Sequence, residues 1–259
     1  MSSRAVRYGA PVLVIVLLLL AWQAAAKWDL LADLLDLEPF LVPAPTEIAQ
    51  AIGDNFSLLM DNAWVTFQEI LLGLGLALIA GIGFAIVLHL SPLLRSAFYP
   101  LLVASQTVPV IVIAPILVVW FGFGIGPKAA IIVLICFFPI TVNTLDGLGS
   151  VGAAQRRLLR SMGAGRGRIL RRLELPASLP YMTSGTKIAV AVAPIGAVFG
   201  EWSGADEGLG HLMLVDNAQL EVPRLFAAIF VLSVMAIALF ALVALLERQL
   251  GWWKRAGRG

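Results

Sequence analysis

The sequence predicts an all-α membrane protein, a polytopic bundle of six spanning helices. Three observations predict it: an apolar composition, long unbroken apolar runs, and a one-sided distribution of basic residues. Of the 259 residues, 60% are apolar and only 13% charged, and the mean hydropathy is +0.93. A soluble domain is about half apolar and a quarter charged. A core of this size cannot hide the excess, because its surface must still face water. The runs are continuous, whereas a membrane barrel needs short alternating strands, so the spanning element is the helix. The single cysteine, Cys136, lies in an apolar run and excludes a disulfide framework or a thiolate metal cluster. His89 and His211 are the only histidines, too few for a histidine-based metal site unless carboxylates complete it.

A span takes about 20 apolar residues. The runs place spans at 8–26, 70–94, 96–127, 129–145, 181–200 and 225–246. Ser91-Pro92 and Arg95 make a tight turn between the second and third. Gly122, Gly124 and Gly126-Pro127 supply loop chemistry between the third and fourth. The fifth contains Lys187 and Pro194. With a cytoplasmic N-terminus, only Lys27, Lys128 and Arg224 fall outside, so fifteen of the 18 basic residues lie on the inner side. By the positive-inside rule both termini are cytoplasmic. A cleaved signal peptide is the alternative for the first run, with Arg4 and Arg7 as its basic region and Ala24-Ala25-Ala26 as its cleavage site.

The outer segment between Lys27 and Glu69 carries Pro39, Pro43 and Pro45. Thr46 reads as the cap of a helix with Glu47 in its first turn. Ile48, Ile52, Leu59, Trp64 and Phe67 alternate with Asp54, Asp61 and Gln68, the pattern of one or two amphipathic helices. A connector packed on the bundle is the expected role, ahead of a surface for a partner.

Within the spans the polar residues read as neutral: Gln106, Thr107, Thr141, Asn143 and Ser233. Ion-coupled transporters usually carry ionisable groups at membrane depth. Neither G-x-S-x-G nor H-E-x-x-H occurs, so the chain is not expected to be an enzyme. Prolines 109, 115, 139 and 194 lie mid-span, where each removes a backbone donor and bends its helix. Gln106, Thr107 and Pro109 are the candidate pathway lining, with Asn143 as a further neutral hydrogen-bonding group and Glu201 and Trp202 as a candidate gate or partner contact. Gly73, Ala77, Gly81 and Ala85 form a small-residue ridge suited to close helix approach, within or between subunits.

The loop 149–180 is longer than a turn requires. Gln155 to Met162 reads as an amphipathic helix with Leu158, Leu159 and Met162 on one side and Arg156, Arg157 and Arg160 around it. Gly163-Ala164-Gly165 ends it. A second helical stretch, Arg166 to Leu173, is expected to stop at Leu175-Pro176, and Leu179-Pro180 to open the next span. An anchor for anionic lipid accounts for the arginines, but not for the ordering helix, glycine, helix, Leu-Pro.

That ordering resembles the EAA loop of ABC-importer permeases, the membrane subunits of binding-protein-dependent transporters. Gly163-Ala164 matches the family's central glycine, and Leu173-Glu174-Leu175-Pro176 its Ile-x-Leu-Pro ending. Arg157-Leu158-Leu159 stands where the family has Glu-Ala-Ala. Further stretches are similar: 42–46, 105–109, 120–124, Gly200-Glu201-Trp202 and Gly208-Leu209-Gly210. The chain is most similar to the nitrate/sulfonate/taurine branch, and within it to permeases for thiamine-pyrimidine precursors.

The resemblance implies one transmembrane permease domain over residues 1–259 in the bacterial cell membrane, of the type I importer kind. Its coupling residues would be Arg157, Leu158, Leu159, Met162, Gly163, Ala164, Leu175 and Pro176. Its partners would be an ATP-binding subunit, an extracytoplasmic binding protein, a second permease copy and the lipid bilayer, with no nucleic acid. The chain has no Walker loop, and indeed no Gly-Lys pair, so ATP and magnesium are expected on the separate ATPase and no cofactor or metal here. The expected solute is a hydroxymethylpyrimidine-type thiamine precursor, ahead of taurine, sulfonates, nitrate or riboflavin. The rival functions are a secondary transporter, which needs a buried ion-binding group or an inverted repeat, and a membrane assembly factor with no ATPase partner.

Overall fold

A computed structural model describes residues 3–28 and 30–250, with side chains described from residue 13 onward except those of 29, 31, 32, 35, 249 and 250. Every regular element among them is helical. Twelve α-helices follow in order: α1 Ser3–Lys27, α2 Leu30–Leu35, α3 Pro45–Asp54, α4 Phe56–Leu90, α5 Pro92–Ser105, α6 Val110–Phe121, α7 Ile125–Gly149, α8 Ala153–Ser161, α9 Arg166–Ile169, α10 Leu175–Trp202, α11 Leu209–Gln219 and α12 Val222–Leu250.

The centre is built by α4, α7 and α10. Ile70, Leu74 and Ala77 of α4 meet Ile132, Cys136 and Ile140 of α7 and Ala189, Val190 and Ala193 of α10, all buried. The small-residue ridge of α4 packs within the chain: Gly73, Ala77, Gly81 and Ala85 are all buried. A Cβ on Gly73 would stand 2.5 Å from the Ile132 Cβ, so only glycine allows α7 this close. α12 lies outside the trio, and only 6% of the positions in its apolar window are buried. The remainder is apolar surface suited to lipid.

Among the described residues four helices are long and apolar enough to cross a membrane, or five if the bent pair α5–α6 counts as one span. These account for four or five of the six expected spans. In α1 the apolar stretch with described side chains is Leu13–Lys27, short of a span, and the start of the 8–26 run lies outside the described side chains. The expected third span is broken: α5 and α6 meet at 102° across residues 106–109. Pro109 takes extended backbone there and starts α6, because a proline has no N–H to continue the preceding ladder.

Two proline signals and one cap lead elsewhere than their sequence reading. Gly126-Pro127 lies in the first turn of α7, not in a loop; a first-turn N–H has no intrahelical partner, so its loss is harmless. Leu175-Pro176 does not stop the chain. A π turn over Leu170–Glu174 joins α9 to α10, and the combined helix runs from Arg166 to Trp202 through Pro180 and Pro194. The wider turn changes the hydrogen-bond register just where Pro176 would otherwise clash with the preceding carbonyl. Ala44, not Thr46, is the cap of α3, with Pro45 at its first position and Glu47 Oε2 accepting from the Ala44 N–H at 2.9 Å. Thr46 instead exchanges hydrogen bonds with Gln23 of α1, each 3.1 Å.

α3 lies on the bundle, with Ile48 buried beside Leu59, Leu212, Met213, Ala227 and Ala228. The second amphipathic stretch of the outer segment is the beginning of α4 itself. At 1.5 Å per residue its 35 residues extend roughly 52 Å, well beyond a hydrocarbon core of about 30 Å.

Candidate functional site

The two ends of the bundle differ in chemistry. At one end stand α8, the π turn and the C-termini of α4 and α7. Helix α8 has no buried residue: Leu158 is 62% exposed and Met162 72%, while Leu159 and Ala164 are half-buried and Arg157 is exposed. Leu158 and Met162 of the apolar side therefore face away from the bundle, while Leu159 is half-buried.

Gly163 ends α8 with φ of 78°. Its N–H donates to the Arg160 carbonyl at 3.0 Å, and that of Ala164 to the Leu159 carbonyl at 2.9 Å. This pair of bonds is a Schellman motif, in which the left-handed residue is usually glycine. A Cβ at Gly163 would meet nothing within 4 Å, so the constraint is backbone conformation rather than space.

What ties α8 to the bundle is charge. Glu174, in the π turn, is 6% exposed. Its Oε1 accepts from Arg156 Nε at 2.6 Å, and its Oε2 lies 3.0 Å from His89 Nε2. Arg156 also donates to the Leu148 carbonyl at 3.0 Å, and Arg166 donates to the Leu90 carbonyl. These carbonyls belong to the last turns of α7 and α4, where partners are lacking and cations are favoured. Leu175 and Pro176 follow immediately as the start of α10.

The opposite end is closed by carboxylates. Glu201, near the end of α10, is 1% exposed. It accepts from the Thr66 hydroxyl at 2.6 Å, from the His211 N–H at 3.2 Å and from the Gly210 N–H. Thr66 accepts in turn from the Leu209 N–H at 2.8 Å, and Asn62 from the Gly208 N–H at 2.8 Å. The first amides of α11 are thus satisfied by side chains from α4 and α10, with a carboxylate at its positive end. A Cβ on Gly208 (φ 116°) would lie 2.3 Å from the Glu201 carboxyl, so the loop closes only with glycine there. The Trp202 indole N–H donates to the Gly210 carbonyl at 2.9 Å. Nearby, Lys128 Nζ is 2.6 Å from Glu69 Oε1, with both residues buried. Arg224 of α12 holds buried Asp216 of α11 at 2.6 Å.

The reading of spans free of buried charge is therefore corrected. Helices α4, α7 and α10 run past their apolar windows and bury end charges against one another, and Lys187 of α10 pairs with Glu247 of α12 at 2.7 Å. Each buried carboxylate is paired through at least one oxygen, which makes its burial tolerable, although Glu69 Oε2 and Asp216 Oδ2 accept no hydrogen bond among the described residues.

The remaining candidates divide. Gln106, Thr107 and Pro109 sit together, exposed, at the α5–α6 break, and Thr107 Oγ1 donates to the Ala104 carbonyl at 2.8 Å. Asn143 lies apart on α7, where its amide donates to the Pro139 carbonyl at 2.8 Å. A Cβ on Gly185 of α10 would lie 2.8 Å from the Asn143 Cβ. Glu201 has no surface to offer a partner, while Trp202 is 44% exposed.

Sequence reasoning missed His89, Arg156 and Glu174 as a unit, and Thr66, Glu69 and Lys128 altogether. One signal was present: Glu174 is the only acid between residues 149 and 180, among seven arginines.

A family model described as binding-protein-dependent transport system inner membrane component matches residues 73–252. The chain is 40% identical to the formylaminopyrimidine transport permease protein ThiX of Halalkalibacterium halodurans, covering 95% of this chain and 96% of that one. It is 33% identical to the riboflavin transport system permease protein RibX of Chloroflexus aurantiacus, covering 95% and 90%. It is 28% identical to the taurine transport system permease protein TauC of Escherichia coli, covering 87% and 85%. Among solved structures, a chain of the inward-facing MetNI methionine ABC transporter superposes with a TM-score of 0.65 at 17% identity, over 75% of this chain and 97% of that one. Family and fold relate the chain to multi-subunit transporter complexes as a non-catalytic, multi-pass membrane component. The chain belongs to the family of binding-protein-dependent transport system inner membrane components, and is a membrane permease subunit of an ABC importer.

Proposed function

We infer that the solute is a small neutral pyrimidine of the thiamine-precursor type, delivered by an extracytoplasmic binding protein. One observation carries the inference: the 40% identity to a formylaminopyrimidine permease extends over nearly the full length of both chains. Identity falls to 33% for the riboflavin relative and 28% for the taurine relative. Gln106 and Thr107, at the α5–α6 break, provide the neutral hydrogen-bonding lining that such a solute needs. A pore that held an anion tightly would call for a fixed cation there, and the break has none.

In this reading two permease copies enclose the pathway around a shared axis, and α8 docks an ATPase on the cytoplasmic side. Helix α1 supplies a further span, and both termini are cytoplasmic. The basic asymmetry supports that orientation, since α8, α9 and the π turn carry seven arginines at the α8 end. A cysteine at exposed Asp54 is expected to react with an impermeant maleimide added from outside, and one at Gly163 is not. The reverse labelling would invert the topology and remove the ATPase from α8.

The substrate test is uptake of labelled hydroxymethylpyrimidine into cells blocked in pyrimidine-precursor synthesis, with and without this permease, at limiting external concentration. Faster uptake and restored growth with the permease are expected. Unchanged uptake and growth would remove this substrate, and stimulated uptake of riboflavin or taurine instead would reassign it.

A further inference from the structure

We propose that Glu174 is the positioning residue of the importer, the buried carboxylate through which α8 is held in register with the ends of α4, α7 and α10. The proposal rests on the reading of α8 as the ATPase-docking helix.

Helix α8 buries no residue of its own, so apolar packing does not fix it. Its attachment runs through Arg156, whose Nε donates to Glu174 at 2.6 Å and whose second nitrogen donates to the Leu148 carbonyl of α7 at 3.0 Å. The other oxygen of Glu174 meets His89 of α4 at 3.0 Å. The side chain of Glu174 is 8% exposed, that of His89 13% and that of Arg156 27%. One carboxylate thereby joins α8 and α4 directly, with α7 reached through Arg156, and it does so from the π turn at the root of α10. π turns insert a residue into the helical ladder and mark places where its register changes. A displacement of α8 would be passed through Arg156 and Glu174 to α10, whose far end carries the Glu201 closure, and through His89 to α4. Charge-assisted bonds of this length are strong and directional. They transmit position better than a loose apolar contact.

The test places spin labels on cysteines at Met162 and Leu246, both exposed, in the full-length permease in lipid nanodiscs, and measures the distance distribution between them. The wild-type background is expected to give a narrow distribution. Glu174→Gln and Arg156→Met are expected to broaden it at least about twofold, and Arg156→Lys, which restores the cation, to narrow it again. This readout needs neither the ATPase nor the solute, so it stands or falls separately from the function proposed above. In the assembled transporter, Glu174→Gln should also lower uptake of labelled hydroxymethylpyrimidine per ATP hydrolysed, by roughly tenfold, with the ATPase still bound. Equal distributions in all four proteins would overturn the proposal. So would a Glu174→Gln protein that is merely scarcer but has an unchanged distribution, since that is the mark of a residue serving stability alone.

Discussion

Replacing Glu201 with alanine is expected to open the α11 end of the bundle and to cost about 3 kcal/mol of stability. The carboxylate accepts from the Thr66 hydroxyl and from two amides at the start of α11. Alanine leaves the two amides buried without an acceptor and the Thr66 hydroxyl with only its longer bond to the Asn62 carbonyl, and an unmade buried bond costs more than a made one contributes. It also removes the negative charge from the positive end of α11. At about 2–4 °C per kcal/mol for a chain of this size, the melting midpoint should fall by roughly 6–12 °C. Glu201→Gln keeps one carbonyl oxygen and should lose less than half as much. Thermal unfolding of the purified permease, followed by the fluorescence of Trp202 and its neighbours, measures both. An unchanged midpoint for the alanine variant would mean that water reaches the site and replaces the carboxylate.

Gly163→Leu is expected to separate ATP hydrolysis from transport. A leucine has room, since nothing lies within 4 Å of a Cβ there. It does not have the conformation, because φ of 78° costs an L-residue about 1–2 kcal/mol. The chain avoids that cost by unwinding the Schellman turn, which re-aims Leu158 and Met162 relative to the bundle. A shift of about 1.4 kcal/mol is tenfold in an equilibrium, so transport per ATP should fall on the order of tenfold while the permease stays in the membrane. Gly163→Asn, better suited to the left-handed region, should retain most transport. Proteoliposome uptake set against phosphate release checks the ratio. Normal coupling in the leucine protein would move the coupling contact away from α8.

Sequence reading reaches the loop far better than it reaches the closures. Helix α8, its terminating glycine and its exposed apolar face are local features, set by spacing within about ten residues, and the chain displays them directly. The helix extents are less visible. Hydropathy registers composition, so the apolar window 70–94 shows only part of α4, which starts at Phe56 because hydrogen bonding continues where apolarity stops. Prolines misled in a consistent way: Pro127 falls in a first turn and Pro176 behind a π turn, where the missing N–H does no damage. The buried charges are the deepest omission. Thr66 and Glu201 are 135 residues apart, and Glu69 and Lys128 are 59 apart. No periodicity links them; only the packing of α4, α7 and α10 does. Glu174 lay in plain view inside the Leu-x-Leu-Pro ending, yet its role depends on His89, 85 residues away.

In the function proposed above an ATPase sits on the α8 end of the permease, and that assembly is open to direct measurement. Membranes of the native host expressing the tagged chain are solubilised, and the purified material is assayed for ATP hydrolysis. An ATP-hydrolysing subunit is expected to co-purify with the permease. It should be lost when the exposed face of α8 is made acidic by Leu158→Glu with Met162→Glu, although the permease still reaches the membrane. A permease that purifies alone, or an ATPase that stays bound when that face is reversed, would contradict the role assigned to α8.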